Sequence, residues 1–351
     1  LRGAGYRTAV LGKLHVLPPE VYPLEDVTTP GVNQRMPEAH GAAARAFFEQ
    51  DKDKPFLLLV GIHDPHRSAR GFGKASPSPR DPAKVELPRY LSDTVETRRD
   101  WAAYLDAIER LDASVGSVLD ALDASGRANE TLVMFLSDNG PPFPGAKTTL
   151  YDPGIRLPLL VARPGEDASS AGRATQALAS WVDIAPTALA WAKVPAPESM
   201  TGRSLLPLTE DPGASGWERD AVFGSFVFHE ITNYYPMRMI RTGKYKLIKN
   251  LTPALEFPFA SDLHASPSWQ SVLERGLPQI GERPVEAYLH RPALELYDLE
   301  QDPGETRNLA GEESRRSTVE TLERRLLEWR ISTKDPWLIP AFDARARVPT
   351  W

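Results

Sequence analysis

The 351-residue chain has no cysteine at all. That excludes a disulfide framework, a zinc–thiolate site and a cysteine nucleophile within these residues, and it leaves the compartment open. It has no long apolar run either. The longest, Phe56–Val60 and Thr131–Leu136, are far short of the roughly 20 residues that span a bilayer, and they read as buried strands. Excess positive charge is also lacking: the formal net charge is −6, with no basic stripe, which disfavours a nucleic-acid partner. An anionic small molecule is still compatible, because a few cations inside a cleft focus a local field. The first ten residues, Leu1–Val10, contain no initiator methionine, no charged leader segment and no cleavage site. They read as the end of a helix, a turn at Gly3 or Gly5, and a strand already under way. The expectation is that residues upstream are missing.

What is present is ordinary for a globular protein: 41% hydrophobic and 25% charged residues. Short apolar runs alternate with helical periodicity, which predicts an α/β architecture with a largely parallel sheet. Predicted strands are Thr8–Gly12, Phe56–Ile62, Thr131–Ser137 and Leu157–Val161. A helix is predicted from about Arg98 to Leu122, where Ala103, Ile108, Leu111, Val115, Val118, Leu119 and Leu122 share one face. A second, Ile184–Trp191, carries Pro186 in its first turn. Past Pro207 the pattern changes to shorter strands, Ala221–Phe228, Met237–Arg241, Tyr245–Ile248 and Leu294–Leu299, with Thr242-Gly243 as a hairpin signal. Residues 251–293 read as a long ordered loop, and Glu313 to Ile331 as an amphipathic helix. The expected division is a catalytic α/β domain over 1–235 and a small subdomain with an antiparallel sheet over 236–351.

Four polar clusters sit where predicted strands run out into loops, the place where open α/β sheets bind ligands. Lys13 and His15 are two apart, so an extended backbone points both to one face. Such a pair suits an anion and a proton transfer, or is a surface lysine beside a loop histidine. His63-Asp64-Pro65-His66-Arg67 packs two imidazoles, a carboxylate and a guanidinium into a strand end. It reads as functional more readily than as a hydrogen-bonded Asp-Pro turn. Ser137-Asp138-Asn139-Gly140 offers oxygen ligands for a hard cation such as Ca²⁺, or is an Asx-turn; two protein oxygens do not hold Ca²⁺ unaided. Lys147 follows in the next loop.

Taken in order, Lys-x-His, His-x-Pro-His, Ser-Asp-Asn-Gly and Lys resemble the sulfatase family of the alkaline phosphatase superfamily. Supporting stretches run through the chain: Ala4–Thr8, Asp183–Thr187, Thr201–Leu206, Leu296–Leu299 with Asp302-Pro303, and Asn308–Ala310. Gly12–Tyr22, His63–Arg67, Ser137–Tyr151, His229–Arg238 and Thr333–Trp337 look like the sulfamidase branch, which removes N-sulfate from terminal glucosamine of heparan-type glycans. One departure is that this branch carries Arg where Lys147 stands.

The resemblance implies a mixed central sheet flanked by helices. It implies Asp138 and Asn139 as Ca²⁺ ligands, Lys13 and Lys147 on the sulfate, His15 on the nucleophile, and His63 as proton donor to the leaving atom. Asp64, His66, Arg67, His229 and Glu230 are the candidates for gripping the sugar. The family's nucleophile is a formylglycine made within Cys/Ser-x-Pro-Ser/Ala-x-Arg, and no such motif is present. Ser76-Pro77-Ser78-Pro79-Arg80 has the wrong spacing and falls after the histidine cluster. The nucleophile and two further metal ligands are therefore expected outside these residues, and the chain alone is expected to be inactive. Alternatives are another carbohydrate or aryl sulfatase, a phosphonate or phosphodiester hydrolase, or an inactive homologue acting as a binding module. A sulfated carbohydrate is the expected partner, with no nucleic acid, no membrane span and a possible homodimer. The compartment would be periplasmic or extracellular if a leader precedes the chain, and cytoplasmic otherwise.

Overall fold

The computed structural model describes residues 1–16, 18–28, 35–69, 71–73, 76–165, 172–214, 216–230 and 232–338. Leu17 and Ile231, which belong to two of the sulfamidase-like stretches, lie outside them. No helix among the described residues is long and apolar enough to cross a membrane.

The chain opens with a short turn, Arg2–Ala4, closed by Gly5 at φ 86°, a conformation glycine adopts without penalty. Strand β1 (Arg7–Gly12) lies between β2 (Glu25–Asp26) and β3 (Phe56–Gly61), all parallel, in a register that pairs Gly12 with Gly61. Ala9 and Leu11 on β1 pack against helix α1 (Pro37–Glu49) and the end of helix α2 (Val95–Ala124). Helix α1 is not among the predicted elements, although His40, Ala43, Ala44, Phe47 and Phe48 are buried at helical spacing. Its buried face is small and alanine-rich, so its hydrophobic signal is weak. Helix α2 begins a turn earlier than predicted, because Thr94 caps it by accepting from the Thr97 N–H at 3.1 Å. On its first half Ala102, Tyr104 and Ala107 are buried, and Ala103 is not.

Strand β4 (Val133–Leu136) does not continue the parallel sheet. It pairs antiparallel with β5 (Leu159–Ala162), and among the described residues neither edge facing the gap between β3 and β4 is hydrogen-bonded to a strand. The gap belongs to a cavity of about 1480 Å³ whose walls include Leu57, Leu59, Val115, Leu119, Met134 and Leu136. This apolar hollow runs up to the carboxyl ends of β1, β3 and β4. The mixed sheet expected from the sequence is thus present in two pieces.

After helices α3 (Asp152–Ile155), α4 (Ile184–Trp191) and α5 (Leu206–Glu210), strands β6 (Ala221–Phe228), β7 (Tyr234–Thr242) and β8 (Tyr245–Asn250) form an antiparallel sheet. The hairpin expected at Thr242-Gly243 joins β7 to β8, with Thr242 Oγ1 accepting from the Tyr245 N–H at 2.9 Å. The stretch 251–293 is richer than a loop. It holds α6 (Ser261–His264), α7 (Pro267–Glu274), the two-residue strands β9 (Gln279–Ile280) and β10 (Arg283–Pro284), and α8 (Val285–Leu289). Strand β11 (Leu294–Asp298) completes the sheet in the order β11-β8-β7-β6, and α9 (Arg316–Ser332) covers one face through Val319, Leu322 and Leu326. The other face packs an aromatic cluster that includes Tyr151, Tyr235, Phe257, Trp269 and Tyr288. Because β6 starts at Ala221 and pairs along β7, a boundary at 235 would cut this sheet.

Two stretches far apart in sequence meet at one buried carboxylate. Asp335 accepts from Arg238 at 2.7 and 2.8 Å and from Arg330 Nε at 2.7 Å, while Trp337 lies 5.1 Å from the Arg238 guanidinium. Burial works to raise the Asp335 pKa, but the hydrogen bonds from Arg238 and Arg330 outweigh it and hold the carboxyl well below its usual range. Asp335→Ala is expected to cost about 3–5 kcal/mol, because it strands two largely buried guanidinium groups. Urea unfolding at neutral pH checks this, and the loss should shrink as the wild-type carboxylate protonates in strong acid.

Candidate active site

The close approach of the carboxyl ends of the parallel strands β1 and β3 depends on glycine. Gly12 has φ 88°, and a Cβ there would lie 2.4 Å from the Gly61 carbonyl oxygen; one on Gly61 would lie 2.0 Å from the Lys13 carbonyl oxygen. The Lys13 N–H donates to Gly61 at 2.7 Å. Only a side-chain-free contact lets the two strand ends come this close, and it delivers Lys13 and His63 side by side into the cavity.

Asp64 and Arg67, two of the candidates for gripping the sugar, are tied into the fold. Asp64 is buried and clamped by Arg35 and by Arg110, whose Nε donates at 2.9 Å. Arg67 is buried too, with both terminal nitrogens on Asp100 at 2.7 and 3.0 Å, its Nε on the Pro142 carbonyl at 3.1 Å, and its plane over Phe72 and Phe143. Their polar groups are engaged within the fold, while both residues also line the cavity. A strand-end cluster cannot reveal from sequence which members turn inward.

His63 and His66 line the cavity with ring centroids 5.8 Å apart. Burial, then Arg35 and Lys13, lowers the His63 pKa, and its Nδ1 is buried without a hydrogen-bond partner. Loss of hydration in the cleft, then the charges of Lys13 and Lys147, push His66 down to about 4. A proton titration of the His66 ring should therefore have its midpoint near 4, and Lys13→Met should raise it. The fold favours neutral His66, so its contribution to stability is complete above about 6.5 and is lost as pH falls towards the folded value.

Asp138 and Asn139 end β4 as exposed side chains lining the same cavity. Asp138 Oδ1 accepts from the Asn139 N–H at 2.9 Å, and Asn139 Nδ2 donates to the Gly140 carbonyl at 2.8 Å. The donor set is hard oxygen, as Ca²⁺ requires, and supplies only part of a coordination sphere. Gly140 fits because any Cβ would strike the Pro153 carbonyl at 2.2 Å; this contact seats the following loop against α3. On that loop Lys147 is buried, and its Nζ donates to Asp262 at 2.8 Å.

Asp262, on α6, has no sequence motif and lies in the stretch read as loop. Its neighbour Ser261 donates to Glu230 through both the N–H (3.1 Å) and Oγ (2.8 Å). His229, Glu230 and Asp262 each place a nitrogen or oxygen within 4.8 Å of the others. Burial, then Lys147, lowers the His229 pKa, while Asp262 and Glu230 oppose that; His15 acts on it too. The structure thus brings Lys13, His15, His63 and His66 together with Asp138, Asn139, Lys147 and His229 around one cavity, and sets Glu230 beside it. What converges is two lysines, a pair of hard-oxygen side chains and a group of imidazoles, of which His63, His66 and His229 have lowered pKa values from burial and nearby charge.

The chain belongs to the sulfatase family, whose profile matches residues 1–194. A second profile, the C-terminal region of N-sulphoglucosamine sulphohydrolase, matches residues 146–273. Human N-sulphoglucosamine sulphohydrolase is 36% identical over 96% of this chain and 74% of its own length. Human arylsulfatase A is 30% identical over 80% of this chain and 49% of its own length. An ulvan-active sulfatase of Formosa agariphila is 27% identical over 94% of this chain and 63% of its own length. Among solved structures, a 2-O GAG sulfatase aligns with a TM-score of 0.66 at 18% identity, covering 96% of this chain and 74% of that one. A protein in complex with its substrate D-glucosamine-2-N,6-O-disulfate aligns with a TM-score of 0.63 at 18% identity, covering 97% and 82%. The sulfatase-like fold expected from the sequence is the one observed.

Proposed function

We propose that this chain supplies most of the active site of a sulfamidase, a hydrolase that removes the N-sulfate from terminal glucosamine of heparan-type glycans. The observation that supports it most is the meeting of the Lys13–Lys147 cradle with the segment His229–Glu230–Asp262, which lies within the match to the sulphohydrolase C-terminal region. Lys13 and Lys147 would hold sulfate oxygens and offset the charge that builds up as the S–N bond breaks. Burial, Arg35 and Lys13 lower the His63 pKa, and a bound sulfate would offset the Lys13 part, helping that imidazole carry the proton to the leaving nitrogen. His15 would orient the nucleophile, while His229 and Glu230 would contact the sugar and His66 would line the pocket between the lysines. In the net reaction, water's oxygen adds to sulfur, the S–N bond breaks, and nitrogen takes a proton to leave as the amine.

Asp138 and Asn139 would hold Ca²⁺ together with ligands from outside these residues. Such a cation would neutralise a sulfate oxygen. The family's formylglycine has no source among the 351 residues, so the proposed activity is that of a polypeptide carrying this chain together with that nucleophile. Such a polypeptide should release sulfate from N-sulfoglucosamine faster than from glucosamine 6-sulfate or a simple aryl sulfate. Faster turnover of the aryl sulfate would overturn the assignment in favour of a general sulfatase.

A further inference from the structure

We infer that Asp262 is a specificity-determining residue, the one that separates an N-sulfate from an O-sulfate at this site. The inference rests on the sulfamidase reading and adds to it the group that reads the bridging atom. A sulfamate and a sulfate ester differ there alone: the bridging nitrogen carries an N–H, and the bridging oxygen carries only lone pairs. A carboxylate beside that atom accepts from the first and repels the second, and leaving a buried polar group unpaired discriminates strongly.

Asp262 stands where that test is made. Its Oδ2 meets the buried Lys147 ammonium at 2.8 Å, so a sulfate oxygen gripped by Lys147 brings the sulfur, and the bridging atom one bond further on, up against this carboxylate. A carboxylate on a sulfate-binding lysine weakens the lysine's hold on an anion, a cost that recognition of the N–H would offset. The second oxygen, Oδ1, is buried with no hydrogen-bond partner, and buried acceptors are rarely left unmet. Its position is fixed from outside, because Ser261 is tied through its N–H and Oγ to Glu230 at the end of the neighbouring strand. The spacing of His229, Glu230 and Asp262 would also suit a metal ion, but the Lys147 ammonium in contact with Asp262 opposes a cation there. The same carboxylates would face the amine once it is released and protonated, so the product's charge matches the wall that read the substrate.

The test uses a matched pair, N-sulfoglucosamine and glucose 2-sulfate, with nitrogen and oxygen at the same ring position, and the nucleophile-bearing polypeptide as wild type and Asp262→Asn. The expected result is a fall of about 10- to 100-fold in kcat/KM for the N-sulfate, with the O-sulfate unchanged or faster. Equal losses on both substrates would make Asp262 a support for Lys147 only and overturn the inference, as would an unchanged ratio. A second measurement needs no variant: wild-type protein should bind glucosamine at least about tenfold more tightly than glucose where the amine is protonated. Equal binding overturns the inference. A wild type that cleaves glucose 2-sulfate as readily as N-sulfoglucosamine overturns the sulfamidase reading itself.

Discussion

Residues 1–351 alone are expected to release no sulfate from N-sulfoglucosamine, whatever calcium is added. The reason is chemical. Two lysines and neutral imidazoles can bind and orient an anion, but sulfur transfer in this family proceeds through a covalent nucleophile. These residues hold no cysteine and no serine in the Cys/Ser-x-Pro-Ser/Ala-x-Arg context. The structure adds a physical reason for poor behaviour. Among the described residues strands β3 and β4 turn edges paired to no strand towards an apolar cavity, and Leu59 and Leu160 are 43% and 61% exposed. Such surfaces template association between chains. Sulfate release measured by ion chromatography should therefore equal the blank, while the protein binds a hydrophobic dye. Metal-dependent turnover that survives repurification would show that the catalytic groups have been misplaced.

Much of this site is legible in the sequence because strands announce it. Lys13, His63 and Asp138 each follow a short apolar run, and in an α/β sheet the ends of such runs share one edge. In the structure all three line one cavity at those strand ends. Direction is what the sequence hides. Nothing in His-Asp-Pro-His-Arg tells that Asp64 and Arg67 turn inward onto Arg110 and Asp100, since those partners lie on a helix whose charged residues also read as solvent-facing. Nor does the sequence show what holds the site's geometry. Gly12 and Gly61 read as ordinary strand ends, yet their close approach sets Lys13 beside His63. Asp262 is hidden for a third reason: a long-range ion pair leaves no local pattern, and its surroundings are short helices too brief for periodicity. The same holds for Arg238 and Asp335, which belong to separate family-like stretches and prove to be one buried contact.

Lys147→Ala, in a polypeptide that also carries the nucleophile, is expected to lower kcat/KM by about 10²–10³-fold on N-sulfoglucosamine and on an aryl sulfate alike. Both substrates present the same sulfate, and a cation in a site shielded from water acts on charge that develops at sulfur rather than on the rest of the molecule. Lys147 is placed for that role because it is buried in the cavity wall, where the Asp262 carboxylate fixes its position at a cost in anion affinity. Glu230→Ala should behave differently. Its carboxylate is anchored by Ser261 beside His229, and Asp262 stands between it and Lys147. Its loss should impair the sugar sulfamate by about 1.5–3 kcal/mol in kcat/KM, the worth of hydrogen bonds to a charged group, and leave the aryl sulfate within about twofold. Arg67→Ala belongs to neither pattern, because breaking the buried pair with Asp100 should lower folding stability and act on both substrates only through the amount of folded protein. Steady-state kinetics on the two substrates, normalised to folded protein by thermal melts, separates the three cases. A Glu230→Ala variant that loses aryl sulfatase activity as fully as sulfamidase activity would move Glu230 from the sugar to the sulfate.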